Sequence, residues 1–285
     1  MNVLPREQQV EALSMLVEGV SLRSVTRLTR IHRTTVMNLM VRAGERLAAF
    51  LDERMKSLRL RHLQCDEIWT FCLKKQGQLL PDEHGDETIG DQYLFVALDE
   101  ATKLIPCFLI GKRNKENTEA FMLDLAGRIV ARWSATPENR PQVSTDGWAA
   151  YPGAVDLAFA DTVRHGVLIK DYRESEQPGR YGPPELVGET RRALSPGLPL
   201  NAICTSHVER NNLTIRTFMR RFTRLALGFS KKFDNLIAAT TLYVAHFNYC
   251  RRHSSLTNDT PAMAAGLTRH RWSMPELLNQ SGVMN

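Results

Sequence analysis

Two devices that organise many proteins are missing from this chain. Its five cysteines, Cys65, Cys72, Cys107, Cys204 and Cys250, stand far apart, with no C-x-x-C pair. Such spacing argues against a zinc module and against a disulfide framework, so reduced thiols in a cytosolic setting are expected. No segment reaches the roughly 18 uninterrupted apolar residues of a membrane span. The opening Met1-Asn2-Val3-Leu4-Pro5-Arg6-Glu7 lacks the basic-then-apolar pattern of a signal peptide. The expectation is a soluble, intracellular protein with no membrane partner.

What is present is enough for a large core. The chain has 285 residues, 43% of them apolar, which suits one large domain with small additions. Its net charge of +6 is unevenly spread. Residues 1–61 carry 11 basic and 6 acidic side chains, residues 62–202 carry 15 and 21, and residues 203–285 carry 11 and 4. Basic ends around an acidic middle suit a protein that grips a polyanion while gathering carboxylates at a metal site.

The basic N-terminal part reads as three short helices. Val10, Leu13, Leu16 and Val17 recur at helical spacing before Gly19 ends the run. Ser21 can cap a second helix over residues 22–28, and His32 opens a third. Val36, Leu39, Met40 and Ala43 turn inward there, leaving Arg33, Thr34, Thr35, Asn38 and Arg42 outside. Residues 1–46 are therefore expected to form an all-α helix-turn-helix DNA-binding domain, its last helix in the major groove of double-stranded DNA. Arg can pair with guanine, Asn with adenine, and Thr can reach phosphates or methyl groups. The turn holds Thr29-Arg30-Ile31, without the glycine often found there. A small helical oligomerisation module would share the pattern. Residues 47–61 read as a linker helix.

An α/β order follows over residues 62–256. Strands are expected at 62–71, 93–98 and 104–110, a helix at 114–133, a short strand at 143–146, a helix at 148–159 interrupted near Pro152-Gly153, and a fifth strand at 163–169. Residues 74–91 read as an exposed loop. Residues 171–202, rich in Pro and Gly, read as an irregular insertion. Two long helices are expected at 207–229 and 232–252, then a C-terminal tail, 257–285.

Three stretches in this order each centre on one acidic residue: Gln64-Cys65-Asp66-Glu67-Ile68-Trp69, Ser144-Thr145-Asp146-Gly147-Trp148 and Ser206-His207-Val208-Glu209-Arg210-Asn211-Asn212. If the first and fourth strands lie side by side, Asp66 and Asp146 converge, and Glu209 on a helix across the sheet can join them. Three carboxylates so close repel unless cations neutralise them. Mg²⁺ or Mn²⁺, two ions in all, would fit, leaving open positions for phosphate oxygens and a nucleophile. Seven helical residues return to nearly the same angle, so Arg216 stands over Glu209, with Arg220 and Arg224 extending the row. Val208, Ile215, Phe218, Phe222, Leu225 and Phe229 form the buried stripe beside it. Glu67, Asp91 and Asp99 are alternative carboxylates; Glu67 should point away from Asp66, and Asp99 should be solvated. Trp69 and Trp148 read as core packing, and His165 and His253 as phosphate contacts or ordinary polar groups. His207-Val208-Glu209 spells the H-x-E of zinc deaminases, but no P-C-x-x-C completes it.

Together these motifs resemble the DDE transposases of bacterial insertion sequences, most closely the insertion sequence one family, over nearly the whole chain. The likeness is strongest from His207 to Arg216. Phe247-Asn248-Tyr249-Cys250-Arg251-Arg252-His253 and Thr260-Pro261-Ala262-Met263 resemble the tail after the catalytic helix. The resemblance implies an RNase H-like catalytic domain, a mixed five-stranded sheet with helices, in which Asp66, Asp146 and Glu209 are catalytic metal ligands and Arg216 is the basic residue after the Glu. It also implies a cytoplasmic bacterial, nucleoid-associated protein that acts as a homo-oligomer on its element's ends and on target DNA. The cysteine-rich zinc element that often precedes the helix-turn-helix is absent. Two other functions share these features: a helix-turn-helix regulator with a non-catalytic second domain, and a hydrolytic nuclease.

Overall fold

In this computed structural model, residues 4–131, 136–173, 185–224 and 226–284 are described. Three helices come first: α1 (Arg6–Val17), α2 (Leu22–Thr29) and α3 (Arg33–Arg54). The Ser21 hydroxyl accepts the Ser24 N–H at 3.1 Å to open α2, and His32 Nδ1 accepts the Thr34 N–H at 3.3 Å to open α3. Arg30, in the left-handed conformation with φ 60°, closes α2. The 22 residues of α3 run unbroken through positions 46 and 47, so the expected linker helix begins as its continuation, but it stops at Arg54, short of the expected end at 61.

The sheet is built from β1 (His62–Cys72), β2 (Gly90–Asp99), β3 (Phe108–Gly111), β4 (Gln142–Thr145), β5 (Arg164–Arg173) and β6 (Glu185–Ala193). Their order is β3-β2-β1-β4-β5-β6, a mixed open sheet compatible with an RNase H-like fold. β1 pairs antiparallel with β2 and parallel with β4, and β5 lies parallel to β4 on its other side. The inner strands are apolar because both faces are covered: Leu63, Cys65, Ile68, Leu94, Phe95, Val96 and Val143 are fully buried. Helices α4 (Lys115–Arg128), α5 (Tyr151–Phe159), α6 (Ser206–Phe218), α7 (Phe233–Tyr249), α8 (Pro261–Ala264) and α9 (Met274–Gln280) complete the chain.

One continuous apolar cluster joins α1–α3, the sheet and the C-terminal helices. α3 lies along α7 so closely that a Cβ on Gly44 would come within 2.5 Å of the Ala238 Cα. Only glycine permits that approach. The expected tail is also built in. Trp272 packs on Tyr249 and Phe50, ring centroids 4.6 and 5.7 Å apart, and Leu277 and Leu278 are fully buried.

Several expectations are corrected. The segment expected to be irregular supplies β6 and extends β5, making six strands rather than five; residues 174–184 lie outside the described residues. Pro152 does not interrupt α5 but occupies its first turn, where its missing N–H costs no hydrogen bond. α4 stops at Arg128, and Ile129 bridges to Leu58; the expected end at Trp133 lies outside the described residues. The helix expected over 207–229 stops at Phe218. Met219 turns extended (φ −121°, ψ 99°), and a 3-10 turn over Arg220–Phe222 drives Phe222 into the core. The Thr70 hydroxyl holds that turn by donating to the Arg221 carbonyl at 2.6 Å. Leu225, expected in the buried stripe, lies outside the described residues. Asp99 is buried rather than solvated, accepting the N–H groups of Arg61, His62 and Thr102 at 3.3, 3.4 and 2.9 Å.

Candidate metal centre

Parallel pairing of β1 with β4 brings Cys65 opposite Thr145, so the residues that follow, Asp66 and Asp146, come together. α6 crosses the sheet from the other direction and is anchored to β1 at its first turn. The fully buried Gln64 accepts the N–H groups of His207 and Val208 at 2.9 and 3.2 Å through Oε1. These are N–H groups that a helix start leaves without intrahelical partners. One turn on, Asn212 donates to Asp66 Oδ2 at 2.7 Å. Glu209, between these two ties, is thereby placed at the same cleft.

That cleft has a volume of about 600 Å³, and Asp66, Asp146, Glu209, Arg216 and Arg224 all line it. Carboxylate oxygens of Asp66, Glu67 and Asp146 lie within 4.8 Å of one another. This group could hold a metal ion. Glu67 was expected to point away from Asp66; instead its carboxylate, paired with Arg113, joins those of Asp66 and Asp146 at the same cleft. Glu209 stands outside this tight group, its carboxylate held by Lys170 Nζ at 2.6 and 2.5 Å and by the Thr205 hydroxyl at 2.6 Å.

The cluster carries an electrostatic load. Burial, then the charge of Asp146, pushes the Asp66 carboxyl up to about 7; the Glu67 N–H and the Asn212 amide act the other way. Glu67 rises to about 8 through burial and the charge of Asp146, against the Tyr151 hydroxyl and the Arg113 guanidinium. Asp146 is also raised by burial, opposed by the Trp148 N–H and Arg113. Groups so perturbed lack compensating charge, which a bound divalent cation supplies. Carboxylate oxygens are the donors that Mg²⁺ and Mn²⁺ take.

Two cations at the cleft escaped the sequence reading. Arg113 reaches Glu67 Oε2 at 3.1 Å and Asp146 Oδ2 at 3.3 Å, while its guanidinium lies 4.3 Å from the centre of the Trp148 ring. Lys170 holds Glu209. Burial pulls the Lys170 ammonium down, and the hydrogen bonds and charge of Glu209 more than reverse this, leaving it raised. Asn212 was within reach of the sequence, three residues past Glu209 and so on the same helical side. Arg113 and Lys170 had no such local signal.

The other expected residues are scattered. Arg216 faces the cleft with its Nε buried and without a hydrogen-bond partner, and burial followed by the charge of Arg224 lowers it. Arg220 leaves the expected row because α6 has ended; its Nε donates to the Gly19 carbonyl at 3.3 Å, at the α1–α2 turn. Arg33, Thr34, Thr35 and Asn38 are exposed in the first turns of α3. Arg42, also exposed, donates to Gln9 of α1 at 3.0 Å. His165 is buried against Thr145, and burial lowers it to about 4, which leaves a neutral core group. Trp148 is part of the cleft wall and donates to Thr118 at 3.1 Å. No protein-family model matches the chain, and no curated protein matches it. Among the described residues no helix is long and apolar enough to cross a membrane.

Proposed function

We propose that the chain is a DNA transposase of the DDE class, akin to those of the insertion sequence one family. In this reading it binds the terminal inverted repeats of its element and catalyses metal-dependent cleavage and strand transfer. The observation that carries the reading is convergence. Asp66 from β1, Asp146 after β4 and Glu209 from α6 meet at one cleft that Arg113, Arg216 and Arg224 also line. The strand order with its parallel β1-β4-β5 centre supports an RNase H-like catalytic domain. The Ser21- and His32-capped helices α2 and α3, with polar first turns on α3, support a helix-turn-helix reader.

Asp66, Asp146 and Glu209 would hold Mg²⁺ or Mn²⁺, two ions in all, with Glu67 as a further available carboxylate. When bound, the metal supplies charge for an attacking hydroxyl and a leaving oxygen in line across phosphorus. The chain's own part is placement. Gln64 and Asn212 set α6 against β1, so the third carboxylate keeps its position relative to the first. Arg216 and Arg224 offer guanidinium groups to the DNA backbone from the same wall. The protein would act as a homo-oligomer on double-stranded DNA.

The deciding experiment is strand transfer with labelled terminal-repeat DNA in Mg²⁺. Joined product supports the transposase; cleavage without joining would make the chain a hydrolytic nuclease. Repeat binding with neither reaction would make it a regulator.

A further inference from the structure

The two cations that touch the carboxylates hold different ones. Arg113, just after β3, spans Glu67 and Asp146. Lys170, on β5, grips both oxygens of Glu209. Neither makes an ion pair with any carboxylate outside the site, among the described residues. Neither sits on an element that carries Asp66, Asp146 or Glu209, so either can withdraw without moving the backbone that holds those three. Arg113 has somewhere to rest when it does: its guanidinium already lies 4.3 Å from the Trp148 ring centre and 5.9 Å from that of Tyr93. Lys170 is half-buried on a strand whose neighbour Tyr172 is exposed at the mouth of the same cleft.

We infer that Arg113 and Lys170 are internal counter-cations: they hold the carboxylates in the metal-free protein, are displaced by divalent metal, and then bind the DNA phosphodiester. Together the two side chains carry the charge of one divalent ion. A carboxylate oxygen shared with a guanidinium or an ammonium is not free to ligate, so metal and these side chains compete. Once displaced, both become unpaired cations lining a cleft with Arg216. DNA then captures them, and by linkage DNA tightens metal binding by the factor by which metal tightens DNA binding. The phosphodiester half rests on the transposase reading; the competition half does not.

The test uses the full-length protein with Mn²⁺ alone, followed by calorimetry, comparing wild type with Arg113→Gln, Lys170→Gln and Arg224→Gln. The last removes a cleft cation that pairs with no carboxylate. The first two are expected to bind Mn²⁺ about tenfold tighter, and Arg224→Gln to stay within about twofold of wild type, as a screened charge should. Equal affinities for all three variants would overturn the inference, because charge at the cleft and not pairing would be responsible. Trp148 reports Arg113 directly and needs no variant of it. Its emission should change as Ca²⁺ saturates wild type and not in Trp148→Phe; unchanged wild-type emission at saturation would overturn the Arg113 assignment. Adding a terminal-repeat duplex in Ca²⁺ should tighten metal binding in wild type and do so far less in a variant carrying both Arg113→Gln and Lys170→Gln. Competition by metal with no such coupling to DNA would overturn the phosphodiester half alone, leaving the counter-cations in place; the DNA-cutting reading stands or falls separately on strand transfer in Mg²⁺.

Discussion

The carboxylate cleft and the first turns of α3 hold charge in opposite ways. In the cleft, Asp66 and Glu67 are half-buried, repel their neighbours and are pushed up to about 7 and about 8. On α3, Arg33 and Asn38 stand in solvent. Charge held against its own preference is a store of binding energy for a cation, and it lowers stability until that cation arrives. Charge left in solvent carries no such load and acts only when a polyanion approaches. The cleft should therefore answer to metal and pH, and the α3 turns to salt and DNA sequence.

The hardest test of that contrast removes the cleft charges one at a time. Asp66→Asn, Asp146→Asn and Glu209→Gln should each cut DNA cleavage in Mg²⁺ by about three orders of magnitude, with repeat binding nearly unchanged. Substantial cleavage by any of them in a gel assay would sink the assignment of that residue.

Changes on α3 should do the reverse. Arg33→Ala and Asn38→Ala should each remove ~1–3 kcal/mol of discrimination between repeat and random DNA, with thermal stability altered by less than about 0.5 kcal/mol. Binding should weaken steeply with added salt. A fragment starting near residue 62 is not a clean control, because α3 shares its core with α7; the substitutions in the full chain are. Equal discrimination by wild type and both variants would show that the reader lies elsewhere.

A smaller effect separates the regions by pH. Between the ordinary carboxylate range near 4 and the raised values of about 7 and 8, the folded chain binds more protons at Asp66 and Glu67 than the unfolded chain. Metal-free stability should therefore fall as pH rises through that window and level off above it. Divalent metal binds the ionised cluster, so its stabilising effect should grow with pH. Asp66→Asn should flatten the metal-free slope, whereas Arg33→Ala should leave it as in wild type. Thermal melts with chelator and with Mg²⁺ across the window check this; a metal-free midpoint insensitive to Asp66→Asn would contradict it.

The smallest effect concerns placement. Gln64→Leu takes away the acceptor for two N–H groups at the start of α6. It should cost roughly 0.5–2 kcal/mol, the range for losing a helix cap, and weaken Mn²⁺ binding as Glu209 drifts from Asp66. Unchanged Mn²⁺ affinity in a destabilised variant would make Gln64 purely structural.

Much of this was legible in the residues. Apolar runs marked β1 to β5, and the carboxylates stood out within β1 (Asp66), just past β4 (Asp146) and at the head of α6 (Glu209). The break after Phe218 was hidden because Val208, Ile215 and Phe222 keep an apolar spacing that continues across it; Phe222 is buried by a turn instead of a helix. β6 was hidden because its residues are mostly exposed, so no alternation betrays it. Glu67 was set aside because strand alternation sends neighbours to opposite sides, yet its carboxylate comes within 4.8 Å of those of Asp66 and Asp146. Arg113 and Lys170 find their carboxylates 33 and 39 residues or more away, and no local period encodes that.

The seam between Gly44 and Ala238 makes the protein a ruler. With α3 set on α7 at backbone contact, the residues that would read DNA and those that would cut it share one body with no joint between them. The distance from recognised base pair to broken bond is then a property of the fold, measured out by α3's length of ~33 Å at 1.5 Å per residue and by how the helix is seated. Insertion of half a helical turn of DNA between repeat and cleavage point should stop the reaction instead of moving the cut, since the scissile phosphate would face the wrong side of the duplex.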